Sequence, residues 1–273
     1  MYPGHNFFYY NNPYNLVFAL NLMQKTQSEK RHIDKLMTGS YDLNKWLEGG
    51  YDSDIVTLLY GPPASGKSNF VLLAACHNAK KDKKIIFIDT EGSFSIERIK
   101  QISGGILEMV LKNIVILKPT SFQEQKNSFF KMYQELKKSK NIGLIVVDSM
   151  TMLYRLELAE ARRKGIEAVQ KINSDLLKQI QALHEVARKR EIPVLVTSQV
   201  YSDFLSEEDW NSGKEAGVHV VGGDILKYWS KCIIELKISG GKRKAIIKKH
   251  RSLPEKELNF EIVNEGIRKR GWL

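Results

Sequence analysis

Residues 61–68 read Gly-Pro-Pro-Ala-Ser-Gly-Lys-Ser and fit the pattern G-x-x-x-x-G-K-[ST] of a phosphate-binding loop, or P-loop. The loop follows an apolar, β-prone run at residues 55–60 and precedes a segment that can form a helix. This strand–loop–helix context is the one that the motif requires. A chance glycine-rich turn is the alternative, but it does not explain why motif and flanks agree.

The P-loop predicts a site for the phosphates of a nucleotide. Gly61 and Gly66 let the backbone curl so that its N–H groups converge on phosphate oxygens. Lys67 can reach the β- and γ-phosphates, and the Ser68 hydroxyl can ligate Mg²⁺. The predicted nucleotide-binding stretch comprises Gly61, Pro62, Pro63, Ala64, Ser65, Gly66, Lys67, Ser68 and Asn69.

Three further polar side chains end or follow buried strands: Glu91, Asp148 and Gln199. Because the carboxyl ends of parallel strands share one edge of the sheet, we expect these side chains beside the P-loop. Asp148 can support Mg²⁺, as in a Walker B strand, Glu91 can orient an attacking water, and Gln199 can sense the γ-phosphate. A capping or surface role for Glu91 and a strand-capping role for Gln199 are the alternatives.

Strands and helices alternate along the chain, which predicts an α/β protein with a mainly parallel central sheet flanked by helices. Two β-prone runs at 232–238 and 244–249 are joined by Gly240-Gly241 and predict a C-terminal β-hairpin region. A run at 258–263 predicts a last strand. Residues 201–221 lack a clear period, carry five acidic side chains and are predicted to form a surface loop.

Residues 1–36 differ from the rest, because Tyr, Phe and Asn crowd the first 18 and no periodicity persists. We predict an N-terminal arm that is disordered or a start-site extension, with Met37 as the alternative start, followed by a core at 37–273. A partner-binding arm is a further alternative. Only two cysteines occur, and neither a signal peptide nor a membrane span is apparent, so we expect a cytoplasmic protein.

The formal net charge of +11 favours a polyanionic partner such as nucleic acid, although a generally basic surface explains it equally well. One strongly basic strip is a candidate for DNA phosphates, with a solvated hairpin face as the alternative. It comprises Lys242, Arg243, Lys244, Lys248, Lys249, His250 and Arg251. A second basic cluster, Arg162-Arg163-Lys164, and Arg155 are the next candidates.

The P-loop, the segments 87–94 and 144–149 and the strand end at 196–200 occur in an order that resembles the core ATPase domain of the RecA/RadA recombinase family. The likeness runs from about residue 37 to the end of the chain. It is closest to short archaeal paralogues, which lack a preceding helix–hairpin–helix domain. The resemblance implies a RecA-like P-loop NTPase core with ATP and Mg²⁺ as cofactors.

The resemblance also implies roles for single residues. Arg98 matches an arginine that stacks on adenine, and Arg155 falls where the family has its first DNA-facing loop. Residues 201–221 match the second such loop. The implied catalytic groups are Glu91, which would activate water, Lys67, and Gln199, which would couple the nucleotide state to the following loop.

Two departures from the family pattern distinguish this chain from a recombinase proper. Asp224 and Tyr228 stand near positions where recombinases carry histidines, and an acidic second loop repels DNA phosphates. These features favour an accessory recombination and repair protein that binds DNA, preferably single-stranded, and hydrolyses ATP slowly.

Two other functions stay open. The first is a non-enzymatic, nucleotide-bound adaptor for a recombinase or nuclease partner. The second is a signalling ATPase without DNA. Weak self-association is compatible with each of them.

Overall fold

The computed structural model describes residues 34–202, 218–220 and 222–271, which belong to the unit Asp34–Leu273. Within them the helices are α1 Tyr41–Trp46, α2 Lys67–Ala79, α3 Ile96–Ser103, α4 Leu107–Lys112, α5 Phe122–Lys138, α6 Met152–Lys164, α7 Ile166–Arg190 and α8 Gly223–Trp229. The strands are β1 Lys35–Leu36, β2 Tyr51–Asp52, β3 Val56–Gly61, β4 Lys84–Asp89, β5 Ile114–Leu117, β6 Ile142–Asp148, β7 Val194–Ser202, β8 Val218–Val220, β9 Cys232–Ser239, β10 Lys242–Lys249, β11 Glu257–Val263 and β12 Gly266–Lys269.

The main sheet has the strand order β12-β11-β10-β9-β3-β7-β6-β4-β5. The strands from β9 through β3, β7, β6 and β4 to β5 pair in parallel, whereas β9 to β12 pair with one another antiparallel. The predicted α/β class, with a mainly parallel sheet and a C-terminal β-hairpin region, is confirmed. A separate antiparallel pair joins β1 to β2.

Apolar side chains on both faces of the sheet explain why the strands read as continuous hydrophobic runs. On one face, α2 packs into a core that includes Phe70, Phe87 and Phe260. On the other face, α5 and α7 contribute to a second core with Phe129, Leu176 and residues of β6 and β7. The buried sheet thus fixes where its strand ends lie.

The C-terminal region is more extensive than predicted, because β12 follows β11 in a further antiparallel pair. The predicted loop at 201–221 is also wrong at its ends. There β7 continues to Ser202 and pairs with β8, so that Val200 opposes Val220. Residues 203–217, with all five acidic side chains of the predicted loop, lie outside the described residues.

The segment predicted as an N-terminal arm overlaps the described residues only at 34–36, where Lys35–Leu36 forms β1. The rest of the arm lies outside them. No helix of the described chain is long and apolar enough to cross a membrane.

Candidate nucleotide-binding edge and basic surfaces

The carboxyl ends of four neighbouring parallel strands bring the predicted site residues to one edge of the sheet. In the β3–β7 register Gly61 opposes Gln199, and in the β4–β6 register Asp89 opposes Asp148. In the β6–β7 register Val147 opposes Val196, so Asp148 lies level with Thr197 and two residues before Gln199. We call this edge of the sheet the nucleotide edge.

The P-loop connects β3 to α2, as predicted. At two of its glycines, neighbouring atoms leave little or no room for a side chain. A Cβ on Gly61 would lie 2.2 Å from the Leu236 carbonyl oxygen of β9. Gly66 has φ +109°, and a Cβ there would lie 3.3 Å from Ile262 of β11. The loop is therefore held from behind by the C-terminal strands.

Lys67 lies over its own loop and is almost fully buried. Its Nζ donates hydrogen bonds to the carbonyl oxygens of Gly61 and Pro62, both at 2.9 Å. Burial lowers the pKa of the ammonium group, and the nearby carboxylates of Glu91 and Asp148 act in the opposite direction. These three charges are thus close enough to act on one another.

The Asp148 carboxylate is buried and accepts hydrogen bonds from two hydroxyl groups. Thr197 donates to Oδ1 and Ser93 donates to Oδ2. Asp89, one strand away, accepts from the backbone N–H groups of Ser93 at 2.9 Å and Phe94 at 3.2 Å. Asp89 therefore shapes the turn that brings the Ser93 hydroxyl to Asp148.

Glu91 and Gln199 are in direct contact, although 108 residues separate them. The Gln199 Nε2 amide donates to Glu91 Oε1 at 3.0 Å. Burial and then the Asp148 charge raise the pKa of the Glu91 carboxyl, whereas the Gln199 hydrogen bond and Lys67 partly offset that rise. A carboxyl with a raised pKa beside a P-loop suits proton transfer or the positioning of water.

Arg98 of α3 has all of its N–H groups engaged. Nε donates to Asn69 Oδ1 at 2.8 Å, and Nη1 donates to the Gln101 side chain and to the Asn264 carbonyl. Nη2 donates to the carbonyl groups of Val263 and Gly266. The arginine thus ties α2 to the β11–β12 turn through the edge of its guanidinium plane. Stacking of adenine on a face of that plane stays a prediction.

Arg155 lies on α6, is exposed, and lines a cleft of about 290 Å³ together with Gln199. The other lining residues are Ser149, Thr151, Met152 and Leu156. The cleft therefore runs from the nucleotide edge to α6. This neighbourhood is compatible with the predicted role of Arg155 at a DNA-facing segment.

The cluster Arg162-Arg163-Lys164 ends α6 at the turn into α7, and all three side chains are exposed. Arg163 forms an ion pair with Glu160 at 3.0 Å. Among the described residues, Arg162 and Lys164 have no ion-pair partner. Two cations at this turn are thus available to an external anion.

The basic strip on β10 and the following turn is largely paired within the chain. Lys244 contacts Glu257 and Lys248 contacts Glu255, each at 2.7 Å. Arg251 contacts Asp52 at 2.8 Å and Asp54 at 2.6 Å.

The remaining cations of the strip also differ in their contacts. Arg243 Nε donates to the Ala64 carbonyl of the P-loop at 3.2 Å, and Lys249 Nζ donates to the Lys227 carbonyl at 3.2 Å. Lys242 alone in the strip has no contact of this kind with a described residue. The strip is therefore less available to DNA than its sequence suggests.

The residues at this edge fit a magnesium nucleotide. The P-loop is backed so closely that a Cβ at Gly61 would clash, and the buried Ser65 Oγ beside it has no hydrogen-bond partner among the described groups. No group of three or more His, Cys, Asp or Glu side chains in the described chain could hold a metal ion. Hydroxyl and carboxylate oxygens such as those of Ser68 and Asp148 suit Mg²⁺ that is bound largely through phosphates and water.

The chain matches the Rad51 family over residues 29–270. It is 39% identical over 226 residues to the DNA repair and recombination protein RadB of Methanococcus maripaludis strain C7, covering 82% of this chain and 96% of that protein. It is 40% identical over 239 residues to the protein of the same name from Methanococcoides burtonii, covering 86% of this chain and 98% of that protein.

A solved structure agrees with these sequence matches. The structure described as "Crystal structure of the RadB recombinase" aligns with a TM-score of 0.68 at 33% identity, and it covers 86% of this chain and all of that one. The expected resemblance to the RecA/RadA recombinases and their short archaeal paralogues is confirmed. The chain therefore belongs to the Rad51 family.

Proposed function

We propose that this protein is an accessory protein of homologous recombination and DNA repair that binds ATP with Mg²⁺, hydrolyses it slowly and binds DNA. The observation that carries the proposal is the meeting of the P-loop, Glu91, Asp148 and Gln199 at one edge of the sheet. The relatives named DNA repair and recombination protein RadB support the biological setting.

Several groups at the nucleotide edge can bind phosphate or hold the P-loop in place. The N–H groups at the start of α2 and the positive end of that helix attract phosphate. Lys67 can exchange the two neutral carbonyl oxygens that it now contacts for charged phosphate oxygens, which are stronger acceptors. Asn69 is fixed by Arg98, so the first turn of α2 is held in place next to the P-loop.

Hydrolysis requires a group that orients water, and Glu91 is the residue that we assign to this task. Gln199 holds Oε1 of its carboxylate and so orients the side chain. When bound, Mg²⁺ supplies charge neutralisation on the phosphates, and Asp148 and Ser68 would hold it. Because Gln199 lies on β7 three residues before its end at Ser202, it can relay the nucleotide state along the strand towards residues 203–217.

DNA contacts are proposed at exposed cations of α6, which begins beside the nucleotide edge. Arg155 shares a cleft with Gln199, and Arg162 and Lys164 have no described ion-pair partner. The cations of the β10 strip are secondary candidates, because most of them are already bound within the chain. Single-stranded DNA is the proposed preference, and a recombinase or nuclease the proposed protein partner.

A nucleotide-bound adaptor without turnover is the second candidate function. It is favoured by the hydrogen bond that already occupies one oxygen of Glu91. The test is ATP binding and hydrolysis measured with and without single-stranded DNA. We expect binding with a slow basal rate that DNA increases. Binding without any turnover would select the adaptor, and absence of nucleotide binding would overturn both functions.

A further inference from the structure

A basic and aromatic surface lies at the end of the sheet opposite the nucleotide edge. The strands β3, β7 and β9 begin there, because Val56 opposes Val194 and Thr57 opposes Cys232. The backbone N–H of Lys231 donates to the Val56 carbonyl oxygen at 3.2 Å, which fixes the end of α8 against the start of β3. This end of the sheet therefore carries the last turns of α7 and α8.

Three rings form a continuous row from α7 to α8. The His184 and Trp229 rings meet edge to face with centroids 5.1 Å apart, and Trp229 meets Tyr228 in the same way at 5.7 Å. Trp229 is half-buried, whereas the Tyr228 side chain is 73% exposed. The row thus ends in an aromatic ring that is open to solvent but supported from behind.

Three cations lie close to this row: Arg188 is one turn after His184 on α7, Lys231 follows Trp229 by two residues, and Lys249 Nζ contacts the Lys227 carbonyl of α8. All three are exposed, and none has an ion-pair partner among the described residues. The nearest carboxylate on α7, Glu185, is paired with Lys189 at 2.6 Å. The three cations are therefore not held in ion pairs by described residues.

An irregularity in β10 brings Lys249 to this surface. The pairing of β10 with β9 shifts between Ile247 and Lys249, so that Lys249 opposes Ile233. Its Nζ then reaches the Lys227 carbonyl of α8.

The pKa values agree with a cluster of like charges. Burial first, and then repulsion by Arg188 and Lys231, lowers the pKa of His184. Burial and the charge of Lys231 lower the pKa of Lys249.

We propose that this surface, defined by Arg188, Tyr228 and Lys231 and bordered by Lys249, is a second binding site for single-stranded nucleic acid. An exposed ring flanked by cations allows a base to stack while its phosphates contact the charges. Duplex DNA offers no free base face to Tyr228, and an acidic peptide would use the cations without the ring. The proposal rests on the proposed DNA binding but places a contact far from Arg155 and Arg162.

The test uses the full chain and a fluorescently labelled oligothymidylate in anisotropy titrations over a series of salt concentrations. We expect Tyr228→Ala to weaken binding about 5- to 100-fold, because this variant cannot stack a base on the ring. We expect Arg188→Ala/Lys231→Ala to shallow the plot of log K against log salt by about 0.7 for each phosphate that is no longer neutralised. Tyr228→Trp should restore affinity, since it keeps an aromatic face.

Matched controls separate this surface from general effects. Tyr41→Ala removes another exposed tyrosine, on α1, and Lys131→Ala/Lys137→Ala removes two exposed lysines of α5. Neither control should alter affinity or slope. Oligothymidylate carrying 5-iodouracil should also photocrosslink to the peptide that contains Tyr228.

Four results would overturn the proposal. One is equal behaviour of Tyr228→Ala and Tyr41→Ala together with crosslinks only to other peptides. Another is binding of polyglutamate as tight as that of the oligonucleotide and insensitive to Tyr228→Ala, which would identify an acidic protein partner. The third is no oligonucleotide binding by the unsubstituted protein, which would also remove DNA from the proposed function. Binding that persists in all variants removes this second site alone.

Discussion

The nucleotide edge and the basic strip on β10 hold their charges in different ways. At the nucleotide edge the carboxylates are buried or half-buried and receive hydrogen bonds from hydroxyl and amide groups, as Asp148 and Glu91 do. On the strip three of the cations, Lys244, Lys248 and Arg251, are paired with carboxylates of this same chain. The first arrangement keeps charges in place for a ligand, whereas the second uses them internally. A charged residue therefore indicates a binding site only when its partners are known.

The largest effect is expected when Lys67, the cation of the nucleotide edge, is removed. Lys67→Ala should abolish ATP binding while the fold stays intact, because hydrogen bonds to charged groups contribute roughly 1.5–3 kcal/mol each and Lys67 can make more than one. Titration with a fluorescent ATP analogue measures the affinity, and circular dichroism checks the fold. Unchanged affinity would remove the P-loop assignment.

Glu91→Gln should keep nucleotide binding and slow hydrolysis by ~10²–10⁴-fold, the usual contribution of a positioned acid or base. The amide retains the shape of the side chain but cannot accept a proton from water. Phosphate release under single-turnover conditions is the measurement. Undiminished hydrolysis would leave Glu91 with a structural role only.

Lowering the pH should slow hydrolysis, because it protonates the Glu91 carboxylate. Because burial and Asp148 raise the pKa of Glu91 above its ordinary value of 4.5, the protonated, inactive form persists to a higher pH than for an exposed glutamate. The rate of hydrolysis should fall as the pH drops through that raised pKa. In Glu91→Gln the same decline should be missing, and a pH–rate profile of both proteins makes the comparison.

The smallest effect is expected when cations of the β10 strip are removed. This substitution tests whether cations that are bound within the chain also contact DNA. Replacing Lys242, Arg243 and Lys244 with alanine should shallow the salt dependence of binding to single-stranded DNA by about 0.7, the value for one phosphate, because only Lys242 lacks an internal contact. Arg162→Ala/Lys164→Ala should shallow it by about 1.4. A triple variant that exceeds the double variant would show that the internal ion pairs open for DNA.

Motif spacing explains why so much of the nucleotide edge was predictable. Gly61 and Asp148 each end or directly follow a buried hydrophobic run, Gln199 follows one by three residues, and the carboxyl ends of such runs in a parallel sheet must meet at one edge. The alternation of β-prone and helical segments likewise predicted the α/β class with its mainly parallel sheet.

Other contacts depend on side chains that meet only in the folded chain. The Ser93 and Thr197 hydroxyl groups were missed as partners of Asp148, although both lie within a few residues of predicted strand ends. Internal pairing of the basic strip was missed because its carboxylates, Glu255 and Glu257, come from the following turn and strand. The short strands β8 and β12 were missed because three or four residues carry too little pattern.

Gly61 lies so close to the Leu236 carbonyl of β9 that the P-loop reaches its final packing only after β9 has been synthesised. The ribosome synthesises the P-loop long before β9, yet β9 pairs with one edge of β3 and β7 pairs with the other. Neither partner strand exists while only the first half has emerged. The nucleotide edge can therefore close only late in translation, and such long-range pairing is intrinsically slow. Until then the nascent chain exposes the edges of β3, which is the stage at which a chaperone would be of most use.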